Sequence, residues 1–319
     1  MKKLVFSIFL IICTFSILNA QEKVTILTVN GYVHYFSGAN NIGKRLLPGD
    51  ILSPRGIIRC ESDALAVLLF KGKKQKIEAD KELDLTQLAA EKATGNRMGY
   101  FGRFLSFIGS SVNNTEDNSK LEKYHQRYMA NAKGGIRGWG QGSADIMTYK
   151  YLSESVGGEG MLFEWAANEN YHGYTFEIRE EENNTLFFKA FPRANAINLH
   201  LEQLNFLPGA LYSWRVKALD TAGQEVSTAK ILFSYEPDAL ADFLASKELA
   251  RAMEKVEEGE KDLLLVYELE EKRFFYAAYS KYQDMIKQSP ENDLYKRLFA
   301  AFLIRSENLT AAKEVLAIK

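Results

Sequence analysis

The chain has 319 residues, with 40 basic and 41 acidic side chains, a formal net charge of −1 and 46% hydrophobic residues. That apolar content is ample for folded cores, and the length predicts two or three domains. The balanced charge does not favour nucleic-acid binding, which wants a basic patch.

Lys2 and Lys3 precede an apolar run over residues 4–18, which ends in Asn19-Ala20-Gln21. A positive start, a greasy core and a small-residue exit mark a secretory signal peptide. Residues 1–20 are therefore expected to be removed near Ala20, giving a periplasmic or otherwise exported chain. The run is shorter than the roughly twenty residues a bilayer span needs, and retention as an anchor is the alternative. Cys13 lies inside the run, without the small residues that precede a lipoprotein cleavage site. Setting aside Lys2 and Lys3 leaves 38 basic against 41 acidic side chains, a net charge of −3, and no second segment suited to an integral span.

Cys60 is then the sole cysteine, so the domains must stand on packing and not on disulfides. As a nucleophile it would need a histidine nearby in space. His34, His125, His172 and His200 show no spacing that suggests one. Cys60 reads as a half-buried strand residue.

Residues 21–94 have β texture. Strand-like stretches begin with Val24, Ile26, Leu27 and Val29, and recur at Tyr32-Val33 with Tyr35, at Ile57 to Cys60 and at Ala64 to Phe70. Gly31, Gly38, Asn40-Asn41, Leu47-Pro48-Gly49-Asp50 and Gly72 punctuate them, predicting a small β-sandwich or β-roll. The strings Gly31-Tyr32-Val33, Leu47-Pro48-Gly49-Asp50-Ile51-Leu52 and Ile58-Arg59-Cys60-Glu61-Ser62 running into Ala64-Leu65-Ala66-Val67 resemble the periplasmic domain of FecR-like proteins. That family relays a signal from an outer-membrane transporter to an anti-sigma segment inside the cell. Here the domain follows the leader directly, so the resemblance implies the module without the anti-sigma role.

Residues 95–160 read as a glycine-rich linker with short helices, since eight of the 22 glycines fall between Gly134 and Gly160 and glycine weakens helix and strand interiors. Phe101, Phe104, Leu105, Phe107 and Ile108 form a short apolar helical face. A second helix starts at Thr115 or Asn118 and carries Leu121, Tyr124 and Tyr128. The string Gly134-Gly135-Ile136-Arg137-Gly138-Trp139-Gly140 lacks the flanking strand and helix of a phosphate loop. It resembles the Gly-Val-Arg-Gly-type string near the last strand of FecR-like domains, which implies a return to the β domain near 134–150 with Trp139 packed on it.

Over 161–236 apolar residues alternate strictly, as in Tyr174, Phe176 and Ile178 or Tyr212, Trp214, Val216 and Ala218. Alternation places these inward and leaves Glu177, Arg179, Arg215 and Lys217 outside. Six or seven such strands predict an immunoglobulin-type sandwich. Leu204, Leu207-Pro208-Gly209, Tyr212, Trp214, Val216, Ala218, Asp220 and Gly223 resemble the later strands of fibronectin type III domains. The resemblance implies a tyrosine corner at Tyr212, a core tryptophan at Trp165, and a spacer or adhesion module.

Residues 237–319 turn helical, with Asp238 as N-cap of a helix through Leu240, Phe243, Leu244, Leu249 and Met253, then a helix over Leu263 to Leu269. Phe275, Ala278, Tyr282 and Pro290 occupy the places of a tetratricopeptide repeat, and Leu309, Ala312 and Leu316 repeat the first three after 34 residues. Val266 replaces the glycine of the family's first helix. So few repeats are expected to lean on the helix near Asp238, on the sandwich or on a partner; an isolated helical bundle is the alternative. The groove of such repeats is lined from first helices, which nominates Leu263, Tyr267, Glu270 and Arg297 as partner-binding residues.

The sequence shows no motif for catalysis, a metal or a cofactor. Carboxylates cluster at Glu180-Glu181-Glu182 and Glu257-Glu258, beside turns where solvated charge is ordinary. The Asn-x-Thr sequons at Asn113, Asn183 and Asn308 carry no weight in a bacterial host. The fold class is thus multidomain: a FecR-like β domain, a fibronectin III-like sandwich and tetratricopeptide-like hairpins. The expected function is a non-enzymatic envelope scaffold whose partner is another envelope protein. A cell-wall glycan bound through the sandwich, with Trp139 or Tyr171 as platform, is the alternative. A hydrolase with carboxylates facing across a cleft is a third reading.

Overall fold

Turn residues and strand alternation together fold the N-terminal third into two facing sheets. The computed structural model describes residues 23–37, 43–90, 100–135, 148–157 and 160–317. The leader over 1–20, the turn at Gly38 and Asn40-Asn41, and Ile136 to Trp139 lie outside these residues. The chain divides into two compact units, Met1–Gly109 and Ser110–Lys319.

In the first unit, one antiparallel sheet runs β4 (Ile51–Leu52), β1 (Val24–Asn30), β6 (Leu65–Phe70), β7 (Lys73–Ile77). The other runs β3 (Lys44–Arg45), β2 (Val33–Phe36), β5 (Ile57–Cys60), β8 (Glu82–Asp84) and leads into α1 (Leu85–Ala90). Val24, Ile26, Val33, Ile58, Cys60, Leu68 and Phe70 share one buried core. Gly31, at φ +76°, turns β1 into β2; a β-carbon there would lie 2.9 Å from the Ala64 Cα, so glycine is required. Cys60 is fully buried, its thiol pointing to the Ile77 carbonyl at 3.6 Å, and burial raises its pKa. It packs as a small apolar residue.

Alternation alone does not account for β6, where Val67 and Leu69 on the second face are also buried. The apolar island of the linker supplies the reason. It forms α2 (Tyr100–Asn114), with Phe104 and Ile108 buried, and a methyl on Gly109 would come within 3.2 Å of Leu69 Cδ2. That face of the sheet is therefore roofed and not solvated.

The second unit contains a β-sandwich. Its larger sheet runs β12 (Thr185–Ala190), β11 (Tyr171–Glu180), β14 (Leu211–Asp220), β16 (Ile231–Tyr235), β9 (Glu154–Val156), with β15 (Glu225–Ser227) also on β14. β10 (Met161–Glu164) and β13 (Ala196–Leu199) make the smaller sheet. Phe163 lies between them, 5.0 Å from Phe176 and 5.5 Å from Trp214 by ring centroids, and Trp165 is fully buried beside Phe176. The Tyr212 hydroxyl accepts from the Leu207 backbone N–H at 2.9 Å, the tyrosine corner of such sandwiches. Of the charged side chains expected outside, Glu177 is only 3% exposed, because Arg215 at 2.8 Å and Lys217 at 3.5 Å cover it. Burial opposes its charge, but Arg215 and Lys217 outweigh that and hold its carboxyl below the usual range.

Helices complete this unit. Asp238 is not a cap: Glu236 holds that position, and Pro237 opens α4 (Pro237–Leu244). The expected single helix breaks at Ser246, whose hydroxyl accepts from Leu249 N at 3.2 Å and caps α5 (Lys247–Met253). The hairpins follow: α6 (Lys261–Glu271) with α7 (Phe275–Gln288), and α8 (Asp293–Arg305) with α9 (Leu309–Ala317). Ala278, Tyr282 and Ala312 are fully buried, while Leu316 is half-buried. The second linker helix, α3 (Asn118–Gly135), packs against α8 and α9, with Glu122 paired to Lys313 at 2.6 Å.

Tyr212→Phe is expected to cost about 1 kcal/mol, read as a lower urea midpoint with the fold retained in circular dichroism. Glu177 stabilises the fold above its unfolded pKa of about 4.3, and that contribution is lost as pH falls through its lower folded value. Wild type should therefore lose its stability advantage over Glu177→Gln as pH falls below about 4.3, measured as the gap between their urea midpoints.

Candidate functional site

The functional surface of the second unit follows from how its helices are held. A 3-10 turn at Lys150–Leu152 places Tyr151 between the sandwich and α7. The Tyr151 ring stacks on Tyr279 with centroids 4.2 Å apart and planes 4° from parallel, and Tyr149 stacks on it at 5.6 Å. Its hydroxyl hydrogen-bonds the Glu164 carboxylate of β10. The Leu162 N–H of the same strand donates to the Tyr276 hydroxyl at 2.9 Å. Burial, then the Glu164 charge, pushes Tyr279 up to about 12. Burial is also the first cause raising Tyr151 and Tyr276. All three phenols stay neutral at physiological pH, so the joint is held by stacking and hydrogen bonds.

A second tie joins the helices to one another. The Arg305 guanidinium grips Glu270 with contacts of 2.7, 2.8 and 3.1 Å, and the Tyr282 hydroxyl donates to Glu270 at 2.9 Å. Arg305 also reaches the Tyr124 hydroxyl of α3 at 3.4 Å. Burial works against the Arg305 charge, but Glu270 overrides it and raises its pKa further. One fork-shaped pair thus binds α3, α6, α7 and α8.

The sequence-nominated residues fall into different places. Leu263 and Tyr267 are buried inside the helical layer. Glu270 serves the ion pair with Arg305. Arg297 reaches an opening: its Nη1 donates to the Thr115 carbonyl at 2.8 Å, and its buried Nε has no hydrogen-bond partner. Beside it lies a half-open cavity of about 340 Å³, lined by Glu116, Asp117, Asn118, Asp293, Lys296 and Arg297, with Thr115 and Leu316. Asp117 is fixed because its carboxylate accepts from Lys120 N at 2.8 Å at the start of α3. Asn292 fixes the start of α8 by accepting from Leu294 N at 3.1 Å.

The cavity presents carboxylates and cations together on rigid helix ends, which suits a polar segment bearing both signs of charge. Sequence reading missed Glu116, Asp117 and Asp293. They resemble ordinary helix-start acids, and about 180 residues separate the two walls. Of the alternative aromatic platform, Tyr171 is half-buried at the start of β11 and Trp139 lies outside the described residues. Among the described residues, no group of three His, Cys, Asp or Glu side chains could hold a metal, and no helix is long and apolar enough to cross a membrane.

No protein-family model matches the chain, and no curated protein matches it. Among solved structures, a crystal structure of the chicken CNTN1 FN1-FN3 domains is similar at a TM-score of 0.20 and 10% identity. The alignment covers 66% of this chain and 57% of that one, so the chain spans little more than half of that structure's length. The sandwich described above rests on its own strand pairing and tyrosine corner, independently of that similarity.

Because Glu270 is 11% and Arg305 22% exposed, Arg305→Met should cost about 3 kcal/mol by stranding the carboxylate. The double variant Glu270→Met/Arg305→Met should recover part of that loss. Urea unfolding of the two variants and wild type reads both effects.

Proposed function

We propose that this chain is an exported, non-enzymatic scaffold of a bacterial envelope, which holds a segment of another envelope protein against its helical layer. In this reading residues 1–20 are a cleaved leader and the first β domain is a FecR-like module. A fibronectin III-like sandwich then carries tetratricopeptide-like hairpins. The observation that carries the proposal is the cavity beside Arg297. It supports binding of a polar segment, because its walls offer both signs of charge and its rims are fixed by helix caps. The tyrosine joint supports a scaffold role, since it sets the helices rigidly on the sandwich. Leu263 and Tyr267 serve packing in this reading, and the partner-facing role passes to Arg297 with Asp293 and Glu116.

Site-specific photo-crosslinking in the producing cell tests this reading. A photoreactive residue at Asn118 or Asp293 should give one discrete adduct, identified by mass spectrometry as an envelope protein. The same residue at Lys255, in the turn after α5, should give none. Absence of adducts at both cavity positions, or the same adducts from Lys255, would overturn the proposal.

A further inference from the structure

The cavity beside Arg297 is walled by Asp117 and Asn118 at the start of α3 on one side, and by α8 with Leu316 of α9 on the other. Whatever holds α3 in place therefore holds the cavity's shape. Two polar ties cross the contact, Glu122 with Lys313 at 2.6 Å and Tyr124 with Arg305 at 3.4 Å. Leu121 of α3 is fully buried. His125, one turn further along the helix, is not satisfied in the same way. The residue is half-buried, and its Nε2 is buried with no hydrogen-bond partner among the described residues.

A bare Nε2 is tolerable on a neutral imidazole, where one ring nitrogen is an acceptor. Protonation makes both nitrogens donors and leaves a buried, charged N–H with nothing to accept it, which is costly. The surrounding charges pull in opposite directions. Glu307, in the turn before α9, favours the protonated form, and Lys313 of α9 opposes it. On the same helix as His125, Glu122 is bound to Lys313; on α8, Arg305 is bound to Glu270. Burial is the largest influence, and together with Lys313 it outweighs Glu307, so the imidazole is held below its ordinary value of about 6.5. The ring is also well placed to act on the cavity. His125 lies seven residues from Asn118, two turns along the same face of α3. Lys313 lies one turn from Leu316 on α9.

We propose that protonation of His125 releases α3 from α9, which removes one wall of the cavity and makes the site let go of its partner segment in mild acid. This regulation rests on the reading of the cavity as a partner site. The sign follows from linkage: the docked helix binds the proton less well than the released one, so acid favours release. Between the docked-state value and about 6.5, each pH unit shifts the equilibrium about tenfold. The other histidines, His34, His172 and His200, lie outside α3, α8 and α9. The acid loss at Glu177 belongs to the sandwich and falls below about pH 4.3, so the two effects separate in place and in pH.

Hydrogen–deuterium exchange of the full chain, expressed as protection factors at pH 7.5 and 5.5, tests the release without the partner. Protection over residues 118–128 should fall by up to about tenfold, while β11 and β14 keep theirs. His125→Gln, which takes up no proton in this range, should leave α3 protected at both pH values. Unchanged protection of α3 in wild type, an equal fall in His125→Gln, or a fall shared by β11 and β14 would overturn the proposal. If the Gln variant fails to fold, the location of the fall in wild type still decides. The photo-crosslink from Asn118 separates this inference from the reading beneath it. Absence of the adduct at pH 7.5 defeats the partner site itself, whereas an adduct that persists at pH 5.5 in wild type defeats only the release. Loss of the adduct at pH 5.5 in wild type, with retention in His125→Gln, supports both.

Discussion

The second unit depends on a stack of tyrosines. Tyr151 stands at the edge of the sandwich and lies flat on Tyr279 of α7, while β10 contributes Leu162 N–H to Tyr276 and Glu164 to Tyr151. Two helical hairpins bury too little surface to stand alone, and here they close their layer on the sandwich and on α3. The sandwich therefore supplies more than spacing. It provides the surface on which the helices complete their core, and the joint does so with neutral phenols that avoid the cost of burying charge.

The Glu270–Arg305 pair extends the same logic to the helices. A buried carboxylate is tolerable only with its partners in place, and Glu270 has both a guanidinium fork and the Tyr282 hydroxyl. With α3, α6, α7 and α8 thus tied together, the starts of α3 and α8 are held facing each other, and the cavity beside Arg297 lies between them. Fixed helix ends give that opening its shape. The charged groups lining it are fixed as well.

The first unit solves a different problem. Its central strand β6 is buried on both faces, by the facing sheet on one and by α2 on the other. The edge strand β7 remains exposed and lysine-rich. Charge on an exposed edge strand disfavours pairing with another chain.

Much of the architecture was legible in residue order, because it depends on local periodicity. Alternation around Phe176 and Trp214 identified the sandwich strands, Tyr212 announced its corner, and Ala278 and Ala312, 34 residues apart, were read as packing positions and are buried. Asp238 misled because a capping residue type was read without the competing Pro237 and Ser246. The site was less legible for a physical reason. A groove-lining position and a core position look alike when both are apolar on a helix, so Leu263 and Tyr267 could not be told from packing residues. Glu270 was expected to line a partner groove, but folding brings Arg305 to it and ties it into the helical layer. The sequence by itself determined which segments are strands and helices, since side-chain periodicity is written residue by residue. Only the tertiary structure decided which polar groups meet: Glu177 with Arg215, Glu270 with Arg305, and Arg297 with the Thr115 carbonyl. Those pairings depend on chain segments brought together across tens to nearly two hundred residues, and no local pattern encodes them.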